Sequence, residues 1–171
     1  MDLTAADVIA LLGLRPLEGE GGYFAETYRS GHTLDAATLG GQYGGDRTAK
    51  TAIYYLVTPT AFSALHRLAG DEVYHFYLGD PLDLTLLQPD GRVETIRLGP
   101  DLRAGERPQA VAPGGSWQGS ALAPGGSWAL VGTTMSPGFH IDDFELGDRA
   151  ALQTEYPEAA DLIARLTRPA P

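Results

Sequence analysis

One histidine and one glutamate stand close together in the chain and are the residues best suited to acid–base chemistry. His66 and Glu72 lie in the stretch FSALHRLAGDEVYHFYLGDP. The residue pattern predicts two strands here, residues 62–68 and 72–78, joined by a tight turn that contains glycine. If these strands pair as an antiparallel hairpin, His66 and Glu72 are neighbours near the turn. An imidazole beside a carboxylate suits a general acid–base pair or half of a metal site.

Strand alternation also predicts which face of the sheet the other side chains of this stretch occupy. It places Glu72 and Tyr74 on one face and His75 on the other, unless a bulge intervenes. Aromatic residues with polar tips elsewhere in the chain could complete a pocket wall, because such side chains pack against a ligand and orient it. The candidate ligand-binding residues are Tyr23, Ser63, Tyr74, His75, Trp117, Gln118 and Phe139.

The elements that must position these residues are short strands separated by Gly and Pro. From residue 50 onward this pattern predicts an antiparallel sandwich or barrel and not βαβ units. Two turns are predicted to close hairpins, residues 89–91 and residues 124–126. Residues 31–48 contain many glycines and few large apolar groups, so they are predicted to form a loop, with His32 as a solvated surface residue.

Helices are predicted at both ends of the chain. Thr4 and Asp7 have capping-box spacing, and Gly13 ends the first helix. Asp148 can cap a second helix, and an apolar stripe continues to about residue 167.

Several sequence blocks in order resemble the cupin superfamily, and within it the cupin-5 (DUF985) family. The blocks are EGGYF, ETYRS, TAIYYL, FSALHRL, DEVYHFYLGDP and PGFHIDDFELGDR. The resemblance implies an all-β fold, the cupin double-stranded β-helix or jelly-roll barrel, with short N- and C-terminal helices. The expected organisation is a single cupin domain over residues 1–171, with a core barrel at about 20–146 and C-terminal helices at about 148–167.

The same resemblance suggests two kinds of site. Metal-binding cupins use paired histidines and a glutamate, followed by a third histidine; here only His66 and Glu72 match, and Gln118 stands at the later position. These three are weak candidates for a divalent metal, and no cofactor is firmly expected. Leu65 and His66 also look like the Leu-His pair of sugar-nucleotide epimerases of this superfamily. That likeness makes His66 the catalytic base and Glu72 its orienting group or the acid. In the late block, residues 140–143 are interpreted as surface residues.

Composition limits the classes of partner. The chain has 171 residues, a formal net charge of −10 and a pI near 4.6, which disfavours nucleic acid and anionic membranes. It contains no cysteine, so thiolate catalysis, disulfides and cysteine-based zinc sites are excluded. No apolar run reaches the ~20 residues of a membrane helix, and the expected location is cytoplasmic.

Three functions remain open at this point. The chain is expected to bind a small molecule, either as an isomerase or epimerase-like enzyme on a carbohydrate or other polar metabolite, or as a non-catalytic binding or sensing module. The third is a degenerate metal-dependent cupin. The strand predicted at residues 22–28 precedes a flexible loop, which favours a homodimer formed through sheet edges.

Overall fold

The computed structural model describes residues 3–168, and antiparallel strands make up most of it. The strands, in chain order, are β1 (Arg15–Pro16), β2 (Tyr23–Arg29), β3 (Thr33–Leu34), β4 (Arg47–Thr48), β5 (Thr51–Val57), β6 (Ser63–Leu68), β7 (Glu72–Gly79), β8 (Leu82–Leu87), β9 (Val93–Leu98), β10 (Gln109–Ala112), β11 (Trp117–Leu122), β12 (Ala129–Met135) and β13 (Phe144–Leu146). The helices are α1 (Ala5–Leu12), α2 (Ala36–Leu39), α3 (Arg149–Glu155) and α4 (Ala160–Arg165).

Two large sheets face each other. One has the strand order β1-β2-β5-β12-β7-β10, the other β13-β6-β11-β8-β9, while β3 and β4 form a separate small ribbon. Apolar side chains from both sheets meet between them, including Val57, Leu84, Leu86 and Val131, which are almost completely buried. This two-sheet antiparallel architecture confirms the predicted all-β jelly roll.

The prediction that residues 62–68 and 72–78 pair as a hairpin is wrong. Strand β6 pairs with β11 and β13, whereas β7 pairs with β10 and β12 in the opposite sheet. The turn after Leu68 carries the chain from one sheet to the other. His66 and Glu72 therefore face each other across the interior of the barrel and are not neighbours on one sheet.

The two predicted hairpin turns have different outcomes. Strands β8 and β9 pair in register around residues 89–91, as predicted. Residues 124–126 instead connect β11 to β12, which lie in different sheets, so this second turn does not close a hairpin. Residues 31–48 are more ordered than a plain loop, because they contain β3, α2 and β4, although His32 is exposed as expected.

The terminal helices cover the outer faces of the two sheets. Helix α1 begins with the predicted capping box of Thr4 and Asp7 and ends at Gly13 in the left-handed conformation. It packs on the larger sheet, while α3 and α4 pack on the smaller one around Leu65 and Trp117. Asp148 caps α3 through the backbone N–H of Ala151 at 2.8 Å. Over residues 3–168, no helix has the length and apolar character needed to cross a membrane.

Candidate functional site

A cavity of about 220 Å³ lies between the two sheets at the end of the barrel where β6 and β7 meet the N-terminal segment. Its inner end contains buried polar groups, and its open end is marked by exposed side chains. Its walls are mostly apolar. The lining residues are Leu17, Glu18, Glu20, Phe24, Glu26, Arg29, Thr51, Ile53, Tyr55, His66, Leu68, Glu72, Tyr74, Thr133, Met135, Phe139, Ile141 and Phe144.

A hydrogen bond to the backbone fixes the tautomer of His66. Its ring is 2% exposed, and Nδ1 lies 2.8 Å from the backbone oxygen of Ala64. Because a carbonyl oxygen can only accept, Nδ1 must carry the hydrogen. The Phe144 ring stacks on the imidazole with centroids 5.3 Å apart. In neutral His66 the free lone pair is therefore on Nε2, the atom that can accept a proton.

Glu20 approaches His66 from the N-terminal segment, a contact that sequence reasoning did not find. Its Oε1 accepts a hydrogen bond of 2.8 Å from the Ser63 hydroxyl and lies 4.0 Å from His66 Nδ1. The following glycines allow this approach. Gly21 and Gly22 both have positive φ, and a Cβ on either would collide with Phe62 or Tyr55. The signal was present in the EGGYF block, where two glycines follow a carboxylate.

Glu72 projects from the opposite sheet. Its Oε2 accepts a 2.7 Å hydrogen bond from Gln118 Nε2. Burial raises the pKa of Glu72 above its ordinary value of 4.5, and the nearby charge of Glu20 adds to that rise. Charge on His66 and hydrogen bonds from Thr133 and Gln118 lower the pKa in part. Glu72 thus retains a proton at higher pH than an exposed glutamate does.

Two tyrosines complete the polar end of the cavity. The Tyr55 hydroxyl donates a 2.8 Å hydrogen bond to the Gly21 carbonyl. Burial, followed by the charges of Glu72 and Glu20, raises the pKa of Tyr74 well above 10. Burial likewise raises that of Tyr55. Both hydroxyls are therefore neutral. The Tyr74 O–H can donate to a ligand oxygen, whereas the Tyr55 oxygen, whose hydrogen goes to Gly21, can accept from a ligand O–H.

These residues do not fit a metal ion. Gln118 donates its N–H₂ group to Glu72, and a donor group cannot ligate a cation. The atom of this amide that could ligate is Oε1, which is buried without a hydrogen-bond partner among the described residues. Leu68, two residues after His66 on the same strand face, brings an aliphatic side chain to the cavity. Among residues 3–168 there is no group of three His, Cys, Asp or Glu side chains placed to hold a metal. The three weak candidates thus form a hydrogen-bonded pair, Glu72 with Gln118, facing one histidine.

The open end of the cavity carries an ion pair. Arg29 binds Glu26 through two hydrogen bonds of 3.0 and 2.7 Å, and its Nη1 donates to the Phe139 carbonyl at 3.3 Å. Both charged side chains remain partly exposed. Arg29 is thus already occupied by partners from its own chain.

The structure brings some of the predicted ligand-binding residues to the cavity. Tyr74 and Phe139 line it, Gln118 reaches it through Glu72, and Ser63 reaches it through Glu20. These four occupy, or support, the polar end and the rim.

The other three predicted ligand-binding residues lie elsewhere. Tyr23 packs with α1, and Trp117 packs under the C-terminal helices with Arg67 over its ring. His75 faces the outer side of the larger sheet, where it contacts Thr134 at 2.9 Å and Gln109 at 3.2 Å. The bulge between β12 and β7 comes after His75, too late to turn its side chain inward.

Glu72→Gln tests the cost of burying this carboxylate. A carboxyl whose pKa is raised by folding stabilises the protein most below its ordinary pKa, and that contribution is lost as the pH rises through the raised value. Glutamine can still accept the Gln118 hydrogen bond but has no charge to bury. The variant should therefore match or exceed the wild type in free energy of unfolding at pH 7.

The comparison is made by urea unfolding from pH 4 to 8. The advantage of the variant should grow with pH, by no more than about 1.4 kcal/mol per pH unit for one proton. Glu94→Gln, at an exposed position of β9, is the matched control and should show no such trend. Loss of several kcal/mol at pH 8 in Glu72→Gln would show instead that the charge holds the fold together.

Known proteins resemble this chain along almost its whole length. An uncharacterized protein of Saccharomyces cerevisiae is 32% identical over 157 residues, which cover 86% of this chain and 78% of the yeast protein. A solved structure from Shewanella oneidensis has a TM-score of 0.88 and 37% identity, with 99% of this chain and 100% of that chain covered. A hypothetical protein from Leishmania major has a TM-score of 0.87 and 35% identity, with coverage of 98% and 100%. The family model described as Cupin superfamily (DUF985) matches residues 6–147, and the chain therefore belongs to that family.

Proposed function

We propose that this protein is an isomerase or epimerase-like enzyme that moves a proton on a small polar molecule, with His66 as the base. The observation that carries the proposal is the hydrogen bond from His66 Nδ1 to the Ala64 carbonyl. It leaves Nε2 as the proton acceptor of a neutral imidazole in a cavity that also holds Glu72. A free basic nitrogen facing a group that retains its proton is the arrangement that proton transfer requires.

The reaction can be written with balanced atoms. Nε2 of His66 takes a proton from a carbon next to a carbonyl, and the electron pair of that C–H bond moves to the carbonyl oxygen. Glu20, 4.0 Å from Nδ1, stabilises the imidazolium that forms. Glu72 from the opposite sheet donates its proton to the developing enolate oxygen or to carbon, and the raised pKa of Glu72 suits it to this role. After product forms, the imidazolium gives its proton to solvent water and Glu72 takes one back, which restores both groups.

Deuterium incorporation tests the proposal directly. Candidate hydroxy-carbonyl compounds are incubated with the protein in deuterated buffer, and the proton signal next to the carbonyl is followed by NMR. Loss of that signal at a rate proportional to protein concentration is the expected result. A compound that binds in the cavity, by ligand-observed NMR, and shows no exchange would assign the protein to the non-catalytic binding class.

We also propose a homodimer formed through the edge of β2. Strand β1 pairs only with Tyr23 and Phe24, so among the described residues 3–168 the rest of β2 has no partner strand on that side. This open edge includes Tyr28, which is 53% exposed. An unpaired edge is a ready template for a second copy of the same strand.

Light scattering tests the oligomeric state. The wild type should have twice the chain mass of 18.1 kDa at micromolar concentration. Tyr28→Lys should shift it to monomer, because lysine on an edge strand opposes pairing. Thr95→Lys, on the exposed edge strand β9 of the other sheet, is the matched control. A dimer that survives Tyr28→Lys and dissociates in Thr95→Lys would place the contact on the other edge.

A further inference from the structure

We infer that the cavity admits uncharged hydroxy-carbonyl molecules of about monosaccharide size and rejects their phosphorylated, nucleotide-linked or carboxylated forms. The inference deepens the proposed function by naming a substrate class for the same site. It depends on that function for the hydroxy-carbonyl group, whereas the selection against anions follows from the charges around the cavity alone.

Size is the first argument. The cavity has a volume of about 220 Å³. It lies below the ~300–1,000 Å³ of pockets that enclose drug-sized ligands. A free sugar or a small lactone matches this volume, whereas a nucleotide-linked sugar must leave most of its atoms outside.

Charge is the second argument. Three carboxylates line the cavity, at Glu18, Glu20 and Glu26, beside the Glu72 carboxyl group. Among the described lining residues Arg29 is the sole Arg or Lys, and Glu26 already binds it through two hydrogen bonds. An incoming phosphate would meet this negative field without a free cation to pair with. The net charge of −10 of the whole chain strengthens this negative electrostatic potential.

The hydrogen-bond donors and acceptors of the cavity supply the third argument. The carboxylates can only accept when ionised, so they favour a ligand that brings hydroxyl hydrogens. The Tyr74 hydroxyl can donate to a ligand oxygen, and the Tyr55 oxygen can accept from a ligand hydroxyl. Between these polar groups lie apolar walls that include Phe24, Leu68 and Phe144. Such walls suit the carbon face of a deoxy sugar or a lactone and raise the cost of burying any charge.

The absence of cysteine from the sequence allows a test that needs no knowledge of the natural ligand. Met135→Cys places a single thiol in the cavity, and Leu68→Cys is a second variant should the first fail to fold. Val111→Cys, exposed on β10, is the reference thiol. Each reacts with methanethiosulfonates of equal length that carry a hydroxyethyl, sulfonatoethyl or aminoethyl group. The thiolate attacks the thiosulfonate sulfur, a disulfide forms, and methanesulfinate leaves.

Reaction rates are divided by those of the reference thiol, which removes the intrinsic reactivity of each reagent. At the cavity thiol the sulfonatoethyl reagent should be slower than the hydroxyethyl reagent by about tenfold or more. Adding Glu26→Gln, which removes a carboxylate and releases Arg29, should raise the sulfonatoethyl rate several-fold. Adding Glu94→Gln, at a position outside the cavity, should leave it unchanged.

Two results would overturn the inference. A sulfonatoethyl rate equal to or above the hydroxyethyl rate would show that the cavity accepts anions. A ratio of sulfonatoethyl to hydroxyethyl rates that Glu26→Gln leaves unchanged would show that charge around the cavity does not cause the selection. Neither result involves proton transfer, so failure here is separate from a failure to observe deuterium exchange.

Discussion

Asp143→Ala should lower the free energy of unfolding by about 3–5 kcal/mol, the cost typical of removing one partner from a buried ion pair. Asp143 receives two hydrogen bonds of 2.6 Å from the Arg47 guanidinium, and the two side chains are 7% and 3% exposed. Without the carboxylate, the guanidinium stays buried beside the Tyr43 ring and loses its hydrogen-bonded ion-pair partner. The measurement is urea unfolding at pH 7.

Asp142→Ala is the matched control. Asp142 is the neighbouring acid, its side chain is 72% exposed, and its loss should change stability by less than about 0.5 kcal/mol. The double variant Arg47→Met, Asp143→Leu should recover most of the lost stability, because an apolar pair leaves no charge unpaired. Equal stability of Asp143→Ala and Asp142→Ala would show that the ion pair contributes little.

The same ion pair also supports the site. It joins β4 to the short 3₁₀ turn at Ile141–Asp143, and the next residue is Phe144, whose ring stacks on His66. Ile141 and Phe139 from the same segment line the cavity. Loss of the pair should therefore disturb the wall next to the imidazole as well as the overall stability.

Features that depend on residues a few positions apart could be predicted from the sequence of this chain. Contacts between residues far apart in the chain could not. The capping box of Thr4 and Asp7 and the hairpin around residues 89–91 depend on residues a few positions apart, and both predictions are confirmed. The opposite-sheet placement of β6 and β7 depends on strand partners 50 to 63 residues away. The sequence of a three-residue turn does not show which sheet the next strand joins.

The burial of charged side chains was also beyond prediction from sequence, because it depends on distant partners. Residues 140–143 were interpreted as surface residues, which holds for His140 and fails for Asp143. The partner that buries Asp143 is Arg47, 96 positions earlier. Glu20 was missed for the same reason, since its contact with Ser63 spans 43 positions. His66 and Glu72 could be named from their residue types, but their positions on opposite walls required the fold.

The proposed chemistry depends most on His66, and replacing it should reduce proton exchange by about 10²–10⁴-fold. Alanine removes the ring, whereas asparagine retains an N–H group that can donate to the Ala64 carbonyl as Nδ1 does. Neither supplies a basic nitrogen at the position of Nε2. His66→Asn should therefore keep the cavity and bind ligand while losing exchange, which separates chemistry from structure.

His75→Ala is the matched control, because His75 lies on the outer face of the opposite sheet and contacts Thr134 and Gln109. It should retain wild-type exchange. The pH profile adds a second readout: ionisation of Glu72 should reduce kcat/KM on the alkaline side. Since burial raises the pKa of Glu72, that alkaline fall should begin above the ordinary range of a glutamate.

Glu72→Gln should lose the alkaline fall along with most of the rate, because glutamine has no proton to give up as the pH rises. A profile unchanged in Glu72→Gln would remove Glu72 from the reaction and leave Tyr74 as the remaining proton donor on that wall. Exchange that persists in both His66→Ala and His66→Asn would remove His66 as the base. The Nδ1 hydrogen bond to Ala64 would then be structural, and the cavity would be a binding site only.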